Sequence, residues 1–321
     1  MKRFVSLLIA LMVIFSMSAM AEGNVSLTTG LPTEAEDQKI IAVSIDNVGQ
    51  GRPQRNMDCA DVVYEIEIAR GGYTRYLAIF NDNIPEIVEA VRSTRYIHID
   101  LTSDWNAAFA HCGGASAATY NMYDYLKQFT FPGRFDYYKG DSHFYRDEKR
   151  AMPHNAVFKI QSAMEKVDTS VIAPRSPLSF SADNYTQRGE DCSSFKVKYN
   201  ASITYPGYEY NSQDGLYYRT YLGQPHYDAN GNQYACTNVI IMQMDFQGYR
   251  DNNGDRPVYT SYGSNKCDYF IRGRHFTGTW YRPDSSSATV YYDDDGNVVN
   301  FKPGKTFVQI VRNDTQLELG E

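Results

Sequence analysis

Apolar positions in the first half of this chain recur with two different periods. Ile40–Ile45 (IIAVSI) is a short unbroken apolar run that ends in the polar pair Asp46-Asn47, the pattern of a buried strand leaving a sheet. Asp61–Ile68 alternates and carries Glu65 and Glu67, and Tyr73–Phe80 follows the turn signal Gly71-Gly72 as a further strand. Ile87–Val91 adds another. Within Val91–Ser116, residues Ile97, Leu101 and Trp105 recur at helical spacing, Ala107–Cys112 reads as a short buried strand, and Gly113-Gly114 predicts a tight turn. Ser116 stands where it would cap a second helix reaching Phe129, with Ala118, Met122, Leu126 and Phe129 on one face. Gly133–Asn155 shows little periodicity and reads as a long loop of aromatic and charged residues, a kind that is usually functional or mobile. Ala156–Lys166 returns to helical spacing through Val157, Ile160 and Met164.

From Lys196 the pattern changes. Turn pairs at Asp214-Gly215, Asn230-Gly231 and Asp295-Gly296 separate runs of aromatic and β-branched residues, which predicts mainly antiparallel sheet. Val239–Met244 is apolar enough for a central strand, and Thr306–Val311 is the closing one. The predicted organisation is a signal peptide at 1–21, a polar flexible leader at 22–37, an N-terminal α/β domain at 38–166, a linker at 167–195 rich in Ser, Thr, Pro, Asp and Gly, and a β-rich domain at 196–321. The predicted fold class is α+β: a mixed α/β first part and a β-rich, mainly antiparallel second part.

The amino terminus sets the compartment. Lys2 and Arg3 precede the apolar run Phe4–Phe15, and Ala19-Met20-Ala21 forms a cleavage site before Glu22. The run is shorter than the roughly 20 residues of a membrane span. The reading is an exported protein, extracellular or in the cell envelope, cleaved after Ala21 and without a transmembrane segment thereafter. Removal of residues 1–21 takes away those two cations and no acid; 31 Lys and Arg less two leave 29 against 38 Asp and Glu, a net charge near −9. That balance argues against nonspecific nucleic-acid binding and a polybasic membrane patch. The five cysteines are scattered with no CxxC pair, which argues against zinc and for buried free thiols with at most one or two bridges.

Several longer motifs stand together: SIDN at Ser44–Asn47, RPQ at Arg52–Gln54, ADVVYE at Ala60–Glu65, GGYTRYLAIF at Gly71–Phe80, VRSTR at Val91–Arg95, HCGGAS at His111–Ser116 and FYRDEKRAMPHN at Phe144–Asn155. With GTWYRPDSSSATVYYDDDGN and KPGKTFVQIV in the second half, this set resembles the YerB-like family, bacterial cell-envelope lipoproteins whose domain of unknown function comes in two parts. The resemblance covers nearly all of the chain after the signal peptide. It implies an exported α/β fold with a β-rich second part and no established reaction. The chain departs from the pattern at the export signal, where no cysteine stands at the cleavage point; this argues against a lipid anchor and for a soluble secreted form. Cys112 occupies a place where a small apolar residue is expected.

A strand end, a glycine turn and a helix start leave backbone N–H groups where an anion is favoured. Arg92, Arg95, Arg146 and Arg150 supply planar forks for carboxylate or phosphate, and His111 and His154 titrate near neutral pH or donate. Asp46, Asn47, Glu65, Arg75 and Asp100 lie at strand ends or on adjoining elements, and Ser93, Gly113, Gly114, Ser116 and Asn155 complete the candidate binding set. An internal ion-pair network of the same residues is the competing account. Neighbours on a strand point to opposite faces, so His111 cannot easily serve Cys112 as a base, and His154 would have to. No G-x-S-x-G elbow or HExxH helix is present. Asp251, Asn253 and Asp255 match the first ligands of a calcium loop, but Arg256 replaces its glycine and Tyr262 its final acid; Asp293–Asn297 is a hairpin turn. No catalytic residue, metal or cofactor is therefore assigned. Sixteen of the 27 tyrosines fall between Tyr199 and Tyr292, as a glycan platform or as strand residues half buried in a sheet.

The reading that results is a noncatalytic envelope or extracellular module that binds an anionic small molecule, a peptide terminus or a cell-wall fragment. The alternatives are a cell-wall-acting enzyme with His111 or His154 as acid/base, and a structural or protein-interaction component of the envelope. Amino-terminal sequencing of the mature protein is expected to begin at Glu22; a mature form that retains Met1 contradicts the export reading.

Overall fold

The computed structural model of the chain describes residues 24–320 apart from residues 118, 201 and 251–255; the expected signal peptide and cleavage site, and the residues Asp251, Asn253 and Asp255 weighed as calcium ligands, lie outside the described residues. Strands dominate. The α-helices are short: α1 (Tyr96–Asp104), α2 (Met122–Leu126) and α3 (Ile160–Met164). Eleven strands form one sheet: β1 (Ile41–Asp46), β2 (Val62–Ala69), β3 (Tyr73–Phe80), β4 (Ala108–His111), β5 (Arg134–Asp136), β6 (Glu190–Asp191), β7 (Asn238–Met244), β8 (Gly263–Ile271), β9 (Arg274–Arg282), β10 (Val290–Asp293) and β11 (Thr306–Arg312). Their order is β6-β9-β8-β7-β11-β2-β3-β1-β4-β5, with β10 beside β9. The fold is β-rich α+β, with less helix than the sequence pattern suggests.

The expected closing strand is central. β11 lies between β7 and β2 and runs parallel to both, pairing Val62 with Thr306 through Ile66 with Ile310. Its unbroken apolar run is that of a strand covered on both faces. The two halves of the chain thus share one sheet. Successive residues alternate between two cores: Ile41, Val43 and Ile45 face one, while Ala42, Leu77 and Ile79 face the other, where Ile97 and Leu101 of α1 and Trp105 at its end pack. A second sheet, which includes Ser194–Lys198, Pro206–Asn211 and Leu216–Tyr221, covers the first face; the Phe195 ring stacks on Phe270 with centroids 3.5 Å apart. Tyr208, Tyr217, Tyr221, Tyr234, Tyr259, Tyr269 and Tyr291 are buried, whereas Tyr227 and Tyr281 are exposed.

Local pattern predicts β1, β3, β4, β7 and α1 closely, and misplaces others. The helix expected from Ser116 shrinks to α2, because Ser116–Ala117 pairs with Tyr120–Asn121 as a ribbon. Asn121 is the cap instead, its Oδ1 accepting from the Tyr123 and Asp124 N–H groups. The long loop contains β5 and the strand Phe144–Arg146, which pairs with Ala156–Phe158, so helical structure begins only at Ile160. Within the expected linker, Ser179–Phe180 pairs with Asn300–Phe301.

Within the expected leader, Ser26, Thr28 and Thr29 are buried. The Thr28 hydroxyl donates to Asp61 Oδ2 at 3.0 Å and the Thr29 hydroxyl to Asp82 Oδ2 at 2.6 Å. Burial, then the charge of Asp82, pushes the Asp61 carboxyl up to about 6. In an unfolded chain it titrates near its ordinary value of about 3.9. The folded protein therefore binds this proton more tightly, and the resulting stability is present in full below about pH 4 and lost as pH rises through about 6. Relative to Asp61→Asn, wild type is expected to lose about 2 kcal/mol of unfolding free energy between pH 4 and 7. Urea titrations of both proteins check this; parallel pH profiles would show that Asp61 does not titrate in this window.

Candidate functional site

β1, β2, β4, β5, β7 and β11 all run in one direction. The candidate residues gather where β1, β4 and β5 end, and the carboxyl ends of parallel strands are where open α/β sheets bind ligands. Asp46, the last residue of β1, is fully buried and lies opposite Arg75 in the pairing with β3. Its Oδ2 receives His154 Nδ1 at 2.6 Å and stands 3.0 Å from Arg92 Nε. The arginine contact is an ion pair without hydrogen-bond alignment. Burial alone would raise the Asp46 carboxyl, but Arg75, Arg92 and the His154 hydrogen bond outweigh it and hold it below the ordinary aspartate range. An ionised Asp46 places the His154 hydrogen on Nδ1. His154 Nε2 makes no hydrogen bond among the described residues, and the side chain is 15% exposed.

The arginines form two tiers. Arg75 and Arg95 are buried beneath the edge: Arg75 donates to the Ser93 carbonyl, and Arg95 Nη1 to the Thr94 carbonyl at 2.9 Å. Burial, followed by the charge of Arg95, pushes Arg75 well below its usual basicity. Above them Arg92 is 20% exposed and Arg146 is half-buried. Arg146 lies 4.3 Å over the Tyr137 ring; its Nη1 donates to Asn155 Oδ1 at 3.0 Å and its Nη2 to Cys112 Sγ at 3.5 Å. Burial pushes the Cys112 thiol up despite Arg146, so it is a poor nucleophile.

Backbone pairing brings residues 92–94 against the glycine turn: the Cys112 N–H donates to the Arg92 carbonyl and the Thr94 N–H to the Gly113 carbonyl. Gly113 has φ +68°, and a Cβ there would stand 2.6 Å from Tyr138 Cδ2, so a close approach and a left-handed backbone both require glycine. The Tyr138 ring resting on that turn is 61% exposed. Asp136 ties the corner, its Oδ1 accepting from the Gly113 and Tyr138 N–H groups and its Oδ2 from the Tyr123 hydroxyl.

Other candidates lie apart from this edge or serve it from below. Asp100 faces the opposite core, accepting from Tyr125, Ser261 and Tyr262. Glu65 binds Arg219 at 2.8 Å and, with Thr74, holds Asn47. His111 is buried against the Gly113 carbonyl; burial lowers it to about 4, so it is neutral at physiological pH. Ser116 is exposed on its ribbon, and Gly114 packs on Met122. Arg150 clamps the 51–53 loop, Nη2 donating to the Pro53 carbonyl at 2.7 Å, while its Nε pairs with Glu89. Ser93 contributes its carbonyl, and Asn155 orients Arg146. The edge thus brings Arg92, Arg146 and His154 together and adds Tyr137 and Tyr138. Sequence reasoning missed these two tyrosines; the aromatic richness of the Gly133–Asn155 loop is the only signal for them. A cavity of about 400 Å³ lies elsewhere, at the seam between the halves.

Comparison with known proteins places this geometry in context. Residues 28–173 match the model described as "Protein of unknown function (DUF3048) N-terminal domain", and residues 195–308 match the corresponding C-terminal domain. The chain is 28% identical over 295 residues to the Bacillus subtilis (strain 168) protein named "Putative lipoprotein YerB", covering 88% of this chain and 85% of that one. The crystal structure of the YerB protein from Bacillus subtilis superposes with a TM-score of 0.76 at 26% identity, over 92% of this chain and 99% of the other.

The two tiers respond differently to truncation. Asp46→Ala leaves Arg75 buried without its acid and is expected to cost about 3–5 kcal/mol in urea unfolding. Arg146→Ala strands no carboxylate and is expected to change stability by about 1 kcal/mol or less. Equal losses from both would make Arg146 part of the internal network.

Proposed function

The chain belongs to this two-part family of unknown function, and from that premise we propose that it is an exported envelope protein that binds an anionic fragment of cell-wall glycan at the rim of Arg92, Arg146, His154 and Tyr138. One observation carries the reading: two guanidiniums, of Arg75 and Arg92, already share the single carboxylate of Asp46, and Arg146, held on the same edge by Asn155 and Cys112, has no acid within ion-pair distance among the described residues. In a chain of formal net charge −7, a local excess of positive charge that reaches solvent is a counterpart for an anion. Arginine forks suit a carboxylate or phosphate, and the exposed Tyr138 ring offers a flat apolar face beside them. Export is supported by the amino-terminal pattern of charged start, apolar run and small-residue site, and by the lipoprotein name of the Bacillus relative. No described helix is long and apolar enough to cross a membrane.

A second reading rests on the 2.6 Å bond between His154 Nδ1 and Asp46. A buried carboxylate that fixes the imidazole tautomer is how a general base is oriented, and the other ring nitrogen then serves a substrate. His111, buried and neutral, has no such access. Under this reading the arginines hold the anionic group while His154 moves a proton.

Calorimetric titration with N-acetylmuramic acid, which carries a carboxylate and a sugar ring, and with lactate, which carries the carboxylate alone, tests the proposal. Arg146→Ala is expected to weaken both by about 10- to 100-fold, the scale of a charged hydrogen bond of about 1.5–3 kcal/mol. Tyr138→Ala is expected to weaken only the sugar, by about 0.5–1.5 kcal/mol. Failure of wild type to bind either probe, or indifference to both substitutions, removes this reading. Turnover of the muramyl compound that is lost in His154→Gln while binding persists would favour the enzyme.

A further inference from the structure

The seam between the halves holds a cavity of about 400 Å³ that neither the family models nor the charged edge accounts for. Its floor is Met57, Ala60, Val63, Tyr234, Cys236 and Phe307, all buried. These residues come from three separated parts of the chain, so the hollow is built by assembly of the fold and not by one loose loop. Protein interiors are close-packed, with few voids larger than a water molecule. The volume lies within the range of about 300–1,000 Å³ for small-molecule sites. The mouth is held in place: Leu31 of the leader forms one lip, and the Gly304 N–H donates to the Thr29 carbonyl at 2.7 Å. Gly304 leaves no room for a side chain, since a Cβ would stand 2.0 Å from Thr237 Oγ1.

The rim is polar on one side and carries a cation. Lys305 Nζ donates to the Asp58 backbone carbonyl, and the side chain has no carboxylate within ion-pair distance among the described residues. An ammonium has three hydrogens to donate, so two remain. The Asp58 carboxylate is engaged separately, Oδ2 accepting from Asn232 Nδ2 at 2.8 Å. An apolar floor with a single available ammonium at the mouth matches a molecule with an apolar chain and an anionic head. We propose that this cavity binds a fatty-acid-class amphiphile, its chain over Ala60 and Val63 and its carboxylate on Lys305. The site stands apart from the Arg92–His154 rim and does not depend on the glycan reading.

The test uses the mature chain and the fluorescent fatty acid cis-parinaric acid, displaced by decanoate or by decanol. Wild type is expected to bind one probe per chain, saturably, and decanoate is expected to displace it at lower concentration than decanol. Ala60→Leu and Ala235→Leu, which fill the cavity from separate segments of its lining, are expected to weaken probe binding at least tenfold. Ala235 is the less buried of the two, and a melting curve identifies which variant is folded. Lys305→Gln is expected to weaken decanoate about tenfold and leave decanol unchanged. Absence of saturable binding in wild type overturns the proposal. So does binding that the folded cavity-filling variant leaves intact, which would be partition onto the surface. Decanol and decanoate responding alike to Lys305→Gln overturns the anionic class of ligand.

Discussion

The ion pair between Glu65 and Arg219 holds the two halves of this chain in register. The partners are 2.8 Å apart and both fully buried, Glu65 on β2 of the shared sheet and Arg219 on the second sheet. Arg219 spends three of its other four hydrogens on the hydroxyls of Tyr208 and Tyr76 and on His226 Nδ1. Burial by itself would weaken its basicity, but Glu65 and the tyrosines outweigh that and hold it well above the usual value. Burial and the neighbouring Arg219 do the reverse to His226, which stays neutral and so can accept. A buried pair of this kind adds little net stability over a well-packed apolar contact. Its consequence is geometric: any sliding of one sheet over the other would strand a charge. Tyr234 and Cys236 ride on the same second sheet, so the cavity at the seam takes its shape from this registration.

The charged edge follows a different logic. Asp46 is a single acid beneath several cations, and each cation is tolerated for its own reason. Arg75 is tied to a backbone carbonyl and weakened by burial and by its neighbours. Arg92 takes the acid directly and keeps part of its surface in water. Arg146 spreads its charge over the Tyr137 ring, a contact of about 0.5–1 kcal/mol when exposed and more when desolvated. Asp136, the other acid at this edge, is held by the Gly113 and Tyr138 N–H groups and the Tyr123 hydroxyl. The first tier is buried in the fold, and the second keeps part of its surface in water.

Much of the strand pattern is local and therefore legible. Ile40–Ile45, Tyr73–Phe80 and Val239–Met244 are runs whose apolar character alone demands a buried strand, and each forms one. The helical spacing of Ile97, Leu101 and Trp105 likewise yields α1. The same logic fails for Ser116 to Phe129, where helical spacing competes with pairing of Ser116–Ala117 to Tyr120–Asn121. It also fails for the leader, whose polar threonines look solvated until Asp61 and Asp82 arrive from distant positions to receive them.

The β-rich character, the family and the chemical character of the candidate edge are legible in the sequence, because each is written in residue type and short-range spacing. That Thr306–Arg312 is the centre of the sheet and not its end depends on long-range pairing, since one of its partners lies about 240 residues away at Val62–Ile66. Only the tertiary structure separated Arg92 and Arg146 from Arg75 and Arg95, and His154 from His111. Their side chains are chemically alike. What distinguishes them is how deeply each is buried and which acid it meets, and the bond from Asp46 to His154 spans 108 residues of chain.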